Sequence, residues 1–174
     1  FNEGHENSST TEKLLGSGAG GTVSLISRFN SPLFVKKTYL SEKEYFNDSK
    51  ALVFLHHLQE LGYFNNRLKI IDPYQDDKLP KKFLVSYFVY YKGETLSDVL
   101  FHSPEKAAEL LKNYDEILKD LDEAILNSGR LKSRNEFPLY GTRAIHYQFD
   151  GFNIVIHSKN LLVTADGMVL IDPH

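Results

Sequence analysis

Between Leu15 and Val23 the chain reads Leu-Gly-Ser-Gly-Ala-Gly-Gly-Thr-Val, with four glycines among the six positions from Gly16 to Gly21. No other segment constrains the fold as strongly. Glycine inside a regular element costs roughly 0.5–1 kcal/mol relative to alanine, so such a run marks backbone that must turn tightly or approach something closely. The spacing is Gly16-x-Gly18-x-x-Gly21-x-Val23. Backbone N–H groups in a glycine-rich turn can cradle a phosphate, but the dinucleotide fingerprint has the same spacing. The next element separates the two, because the dinucleotide motif opens a helix. Here Thr22-Val23-Ser24-Leu25-Ile26-Ser27 is β-branched and alternating, which predicts a strand. The segment taken alone also fits a hairpin that binds nothing.

Around this turn the remaining elements predict an α+β class. Leu14–Leu15, Thr22–Arg28 and Pro32–Tyr39 read as three consecutive antiparallel strands. A helix follows over Glu42–Leu61, with Ser41 as N-cap and Gly62 as stop. Strand-like alternation returns at Arg67–Asp72 and Lys82–Tyr91. Two amphipathic segments come next, Thr95–Phe101 and Pro104–Asn127. Arg130–Gly151 shows no clear period. Short strands are expected at Asn153–Ile156, Leu161–Thr164 and Met168–Ile171, the last two joined by an Ala165-Asp166-Gly167 turn. The expected organisation is a flexible lead-in over 1–11, a first part over 12–91 and a second over 92–174.

A length of 174 residues is that of one domain with one sizeable core. Twenty Lys and Arg against 23 Asp and Glu give a net charge of −3, which argues against a generally basic nucleic-acid binder. The absence of cysteine excludes disulfides, thiolate-bound zinc, iron–sulfur clusters and thiol catalysis. No apolar run approaches the roughly 18 residues of a membrane span. A chain starting at Phe1 without Met, and with a polar opening, is expected to be a processed form or an excised fragment.

Two further features carry chemistry. Leu33-Phe34-Val35-Lys36-Lys37 is an apolar strand ending in lysine, which resembles the strand-three lysine segment of kinases; on the V-A-I-K template that likeness implies Lys36 as the phosphate-pairing residue. Lys37 would then point to the other face, unless the strand register is off by one. On the following helix Glu44 and Asp48 are four apart and share a face, which makes either the expected ion-pair partner.

Glycine loop, strand lysine and acidic helix are followed by Phe83–Tyr91, by Gly93-Glu94-Thr95-Leu96-Ser97-Asp98-Val99-Leu100, and by His157-Ser158-Lys159-Asn160-Leu161 through Asp172-Pro173. In this order, over roughly residues 12–173, the chain resembles protein kinases and the aminoglycoside- or choline-kinase-like phosphotransferases. The resemblance implies a minimal bilobal kinase-like fold: an N-terminal antiparallel sheet plus helix, and a reduced helical C-lobe ending just after a metal-binding Asp. It implies ATP with Mg²⁺ or Mn²⁺ as cofactors, and a protein or small-molecule phosphoacceptor. Gly16, Gly18, Gly21 and Val23 would cover ATP. Lys36 would pair with phosphates and with Asp48 or Glu44. Asn160 and Asp172 would hold the metal. Such stripped kinase domains also resemble those of bacterial effectors delivered into host cells.

The pattern breaks at the catalytic base. Family members carry an Asp five residues before the metal-binding Asn, and Val155 stands there. A second register, His146 to Asn153, places Gln148 at that position and lengthens the distance to Asp172. The Asn160 register gives the more usual spacing. Three outcomes stay open: Asp150 serves as base, no base is needed, or the domain is a pseudokinase acting through its surface. Nucleotidyl transfer, known for relatives lacking this Asp, is a further alternative. The stretch from Arg130 through Lys132 and Arg134 to Arg143 is a candidate anion site, against the simpler expectation of a solvated loop. Asp172 stands close to the end of the given sequence with no room for a downstream substrate platform, so the chain is expected to be a minimal kinase or to lack its end.

Overall fold

The computed structural model describes residues 9–18 and 20–174, which form two compact units. The class is α+β, with antiparallel sheets and three α-helices. One unit holds the described residues up to Phe46 together with Ile71–Tyr90. The other holds Asn47–Ile70 and Tyr91–His174. The division expected near residue 91 coincides with one of these breaks, but residues 47–70 group with the second unit. Of the expected lead-in, residues 1–8 lie outside the described residues, and Thr10 and Thr11 open the first strand.

The first unit is built on a four-stranded antiparallel sheet of order β1-β2-β3-β5, comprising β1 (Thr10–Gly18), β2 (Gly21–Arg28), β3 (Ser31–Tyr39) and β5 (Val85–Val89). The glycine-rich run is the first hairpin, with Gly18 opposite Gly21 as its last pair. The second hairpin turns at Phe29-Asn30, both at positive φ, the backbone that a two-residue hairpin turn needs and that Asn tolerates. The third strand, expected from Pro32, begins one residue earlier at Ser31, with Pro32 beside a register shift. One face of the sheet buries Ile26 and Phe34, and Tyr74 stacks on Phe34 at 4.7 Å. The other face carries Tyr39, which meets Tyr45 edge-on at 5.4 Å. Tyr45 lies in the first turns of α1 (Glu42–Glu60), where the Ser41 hydroxyl accepts the Glu44 N–H at 3.2 Å.

The second unit packs helices against two sheets. α3 (Ala107–Asn127) buries Tyr114, Ile117, Leu118, Leu121, Ala124 and Ile125, a stripe at helical spacing. These residues join Ala51, Phe54, Leu55 and Leu58 of α1 in the core. α2 (Leu96–His102) is capped by Thr95, whose hydroxyl accepts the Asp98 N–H. One sheet has the order β4-β11-β10-β6, from Leu68–Ile70, Gly167–Leu170, Leu161–Thr164 and Glu94–Thr95, and β4 joins β11 in parallel. The other is β7-β8-β9, from Ser133–Leu139, Thr142–Gln148 and Asn153–Ile156.

The region expected to be a reduced helical part is rich in sheet: the second unit holds seven strands among its described residues, six of them after residue 92. The region without a clear period, Arg130–Gly151, is mostly the β7–β8 hairpin, turning at Tyr140-Gly141 with both φ positive. β7 is exposed along most of its length, so it needs no apolar alternation, and a partner strand holds it instead. Among the described residues no helix is long and apolar enough to cross a membrane.

Candidate functional site

In the first unit the three motif glycines are not equivalent. A Cβ at Gly16 or Gly18 would meet nothing within 4 Å, and both positions are exposed. At Gly21 a Cβ would stand 2.1 Å from the Thr38 carbonyl oxygen, and its φ is +148°. Packing of the hairpin on β3 thus requires glycine at 21, and nothing in the fold requires it at 16 or 18.

Strand register separates the two lysines. Lys36 lies opposite Ser24 and Tyr87, and Lys37 opposite Val23 and Ser86. Directly paired residues share a face, so Lys37 stands with Val23, Val35 and Tyr39, while Lys36 stands with Phe34. The Lys36 ammonium donates to Glu12 Oε1 at 2.9 Å, and this pairing replaces the one expected with Asp48 or Glu44. Lys37 is buried, its ammonium 4.8 Å from the centre of the Tyr39 ring. The lysine on the Val23 face is therefore Lys37, the alternative register. Parity along β2 and β3 was the signal for it, because Val35-x-Lys37 keeps one face and Val35-Lys36 does not. Glu44 reaches toward the glycine turn, a carboxylate oxygen 3.5 Å from where a Cβ on Gly20 would stand. Asp48, on α1, is buried at 3% exposure.

In the second unit the residues after β9 form a braced loop. The Asn160 amide donates to the Val155 carbonyl at 2.7 Å, and its Oδ1 accepts the His157 N–H at 3.0 Å. Both ends of this buried side chain thus hold the turn between β9 and β10. The β10–β11 hairpin follows, then Asp172, whose Oδ1 accepts the His174 N–H at 3.0 Å. The Val155 N–H donates to the Pro173 carbonyl, which ties the segment after Asp172 to β9. His157, which sequence reasoning passed over, sits beside Asp172. Burial pushes its imidazole below the ordinary value, and the Asp172 charge opposes that. Its Nδ1 accepts the Lys159 N–H at 3.1 Å, so the proton of the neutral ring is on Nε2.

The other candidates lie on the β8–β9 hairpin that leads into this loop, where His146 pairs with Val155. His146 and Asn153, the second register, sit on neighbouring strands, with Nε2 of one 3.3 Å from Oδ1 of the other. Asp150 is at the tip of the β8–β9 hairpin, its side chain 95% exposed and 3.5 Å from Lys132. Among the described residues no group of three or more His, Asp or Glu side chains gathers as a metal cluster.

The Arg130–Arg143 stretch divides. Arg134 bonds Asp122 through Nε and Nη2 at 2.9 Å each, and also Glu136. Arg143 bonds Glu136 and Asp115. The Arg143 and Arg134 guanidiniums hold the Glu136 carboxyl down to about 2. Beneath them the buried Tyr114 and Tyr147 hydroxyls donate to the Arg143 carbonyl and to Asp122, and burial raises both phenols. Arg134 and Arg143 are thus occupied by internal carboxylates, which corrects the expectation of one anion site along the whole stretch.

No family model matches the chain, and no curated protein matches it.

Proposed function

We propose that this chain is a kinase-like phosphotransferase domain that uses ATP and Mg²⁺ or Mn²⁺ to phosphorylate a protein or small hydroxyl acceptor. The reading takes the β1–β3 unit as the N-lobe of a kinase-like fold and the α2–α3 unit as its C-lobe. One observation carries it: Val23, Val35 and Lys37 share a face directly behind a hairpin whose Gly16 and Gly18 are open and not needed for packing. Bare backbone there leaves room for phosphate oxygens to approach N–H groups. A buried lysine on that face supplies a positive charge in a low-dielectric setting, where it acts more strongly on phosphate than a solvated one.

In the second unit, Asp172 would offer a hard carboxylate to the metal. Asn160 keeps a second lone pair on Oδ1 while its amide fixes the loop. ATP would supply the γ-phosphoryl group, and the metal would offset its charge. The residues fit this set, with Lys37 taking the role first given to Lys36. Asp150 is exposed at a hairpin tip, 3.5 Å from Lys132, and Val155 stands at the base position. Catalysis on this reading rests on positioning and electrostatics, as a loose phosphoryl-transfer transition state permits.

The same Val155 favours a second reading, a pseudokinase that binds nucleotide and works through its surface. A thermal-shift titration with ATP and Mg²⁺ or Mn²⁺ tests what both share. The shift should vanish in Lys37→Ala and in Asp172→Ala and persist in Lys36→Ala; no shift at all would sink both. Transfer from γ-labelled ATP then separates kinase from pseudokinase, and incorporation of α-label would reveal nucleotidyl transfer instead.

A further inference from the structure

We propose that the tip of the β8–β9 hairpin is an anion-binding site for a ligand carrying two or more phosphoryl groups, held by Lys50, Arg130 and Lys132. Two separate segments bring these cations to four residues, Phe149–Phe152: α1 supplies Lys50, and the stretch between α3 and β7 supplies Arg130 and Lys132. The Lys50 ammonium, from α1, is 3.4 Å from where a Cβ on Gly151 would stand. Lys132 is 3.5 Å from the Asp150 carboxylate. The Arg130 guanidinium lies over the rings of Phe54 and Phe152, at 4.9 and 5.5 Å from their centres. Phe149 and Phe152 are themselves stacked at 4.7 Å with 7° between their planes.

The Phe54 and Phe152 rings hold Arg130 beside the tip. A guanidinium placed over aromatic rings keeps N–H donors available to an anion. Among the described residues neither Lys50 nor Arg130 has a carboxylate partner. Arg134 and Arg143 differ, since each is bonded to two carboxylates. Among the described residues the carboxylate paired with these cations is that of Asp150, whose exposed contact with Lys132 is a weak competitor. Three cations to one carboxylate, in a chain of net charge −3, is a local reversal of sign. A planar fork beside two ammonium groups matches clustered phosphate oxygens. Nucleic acid fits less well: Phe54, Phe149 and Phe152 are all buried, so they offer no face on which a base could stack.

The test is calorimetric titration with inorganic tripolyphosphate at low salt, made in the Lys37→Ala background so that a nucleotide site does not contribute. Lys50→Ala and Arg130→Ala should each weaken binding by roughly three- to ten-fold, and Lys50→Arg should retain it. Asp150→Asn should tighten binding by about two- to five-fold, because it removes the competing charge. Circular dichroism checks that each variant is folded. Cosedimentation with phosphatidylcholine vesicles containing a phosphoinositide bisphosphate identifies the source. Vesicle binding lost in the Lys50→Ala, Arg130→Ala double variant assigns a lipid headgroup, and tripolyphosphate binding without vesicle binding assigns a soluble ligand. Affinity unchanged in the folded double variant would overturn the site. So would tighter binding of a single-stranded RNA oligomer than of tripolyphosphate at the same salt.

Discussion

At Gly21 an added Cβ would lie 2.1 Å from the Thr38 carbonyl oxygen, whereas at Gly16 and Gly18 it would meet open space. Gly21→Ala should therefore cost on the order of 2 kcal/mol or more in urea denaturation, from clash and from its positive φ. Gly16→Ala and Gly18→Ala should stay within about 0.5 kcal/mol, and any loss of ATP response in them would report on ligand approach. A second contrast lies in the loop before β10. Removing the Asn160 amide leaves the Val155 carbonyl and His157 N–H without their partner, so Asn160→Ala should cost about 1–3 kcal/mol. The neighbouring Ser158 hydroxyl is fully buried and has no hydrogen-bond partner among the described residues. Ser158→Ala should be neutral or stabilising, within about 1 kcal/mol, because it relieves a desolvated group. A large loss there would show that the hydroxyl has a partner the structure does not contain. The spacing of the glycines was legible in the sequence, but their division of labour was not. Which glycine meets Thr38 depends on how β2 pairs with β3.

α3 illustrates how far an element can be read before it is folded. The spacing of Tyr114, Ile117, Leu118, Leu121 and Ile125 marks one buried stripe, and leaves Leu126 outside it at 62% exposure. Leu118→Ala should lower unfolding free energy by about 2–5 kcal/mol, and Leu126→Ala by less than about 0.5. Similar costs for both would mean that Leu126 is covered in solution. The β7–β8 hairpin is the opposite case. Arg134, Glu136 and Arg143 look like a solvated run, and β7 has little apolar alternation to betray a strand. What holds β7 is its ladder with β8 and the carboxylates of Asp115 and Asp122 on α3. Those acids are 12 to 28 residues away in sequence from the groups they meet, beyond the reach of any local pattern. Charge along a strand shows which groups need partners; only packing supplies them.

For the molecule as a whole, two titrations of opposite origin contribute to the acid side of the stability profile. Burial lowers the His157 value from 6.5, so the unfolded chain takes up this proton first, and stability is lost as pH falls through 6.5. Glu136 is held at about 2, down from 4.5, by Arg143 and Arg134, so its contribution is complete above 4.5 and lost as pH falls toward 2. Urea midpoints measured across pH should therefore decline in two steps; His157→Gln should remove the first and Glu136→Gln the second. A single step unaltered by both variants would show that neither group governs the profile. The sequence by itself determined the α+β class, the glycine hairpin, the buried stripe of α3 and the absence of cysteine chemistry, since each rests on local spacing or composition. Only the tertiary structure decided that Lys37 shares a face with Val23, that Arg134 and Arg143 are already neutralised, and that Lys50 joins Arg130 and Lys132 at one hairpin tip. The physical reason is common to all three. A side chain's face follows from register, and its electrostatic partners come from segments distant in the chain, so both are fixed only when the backbone closes those distances.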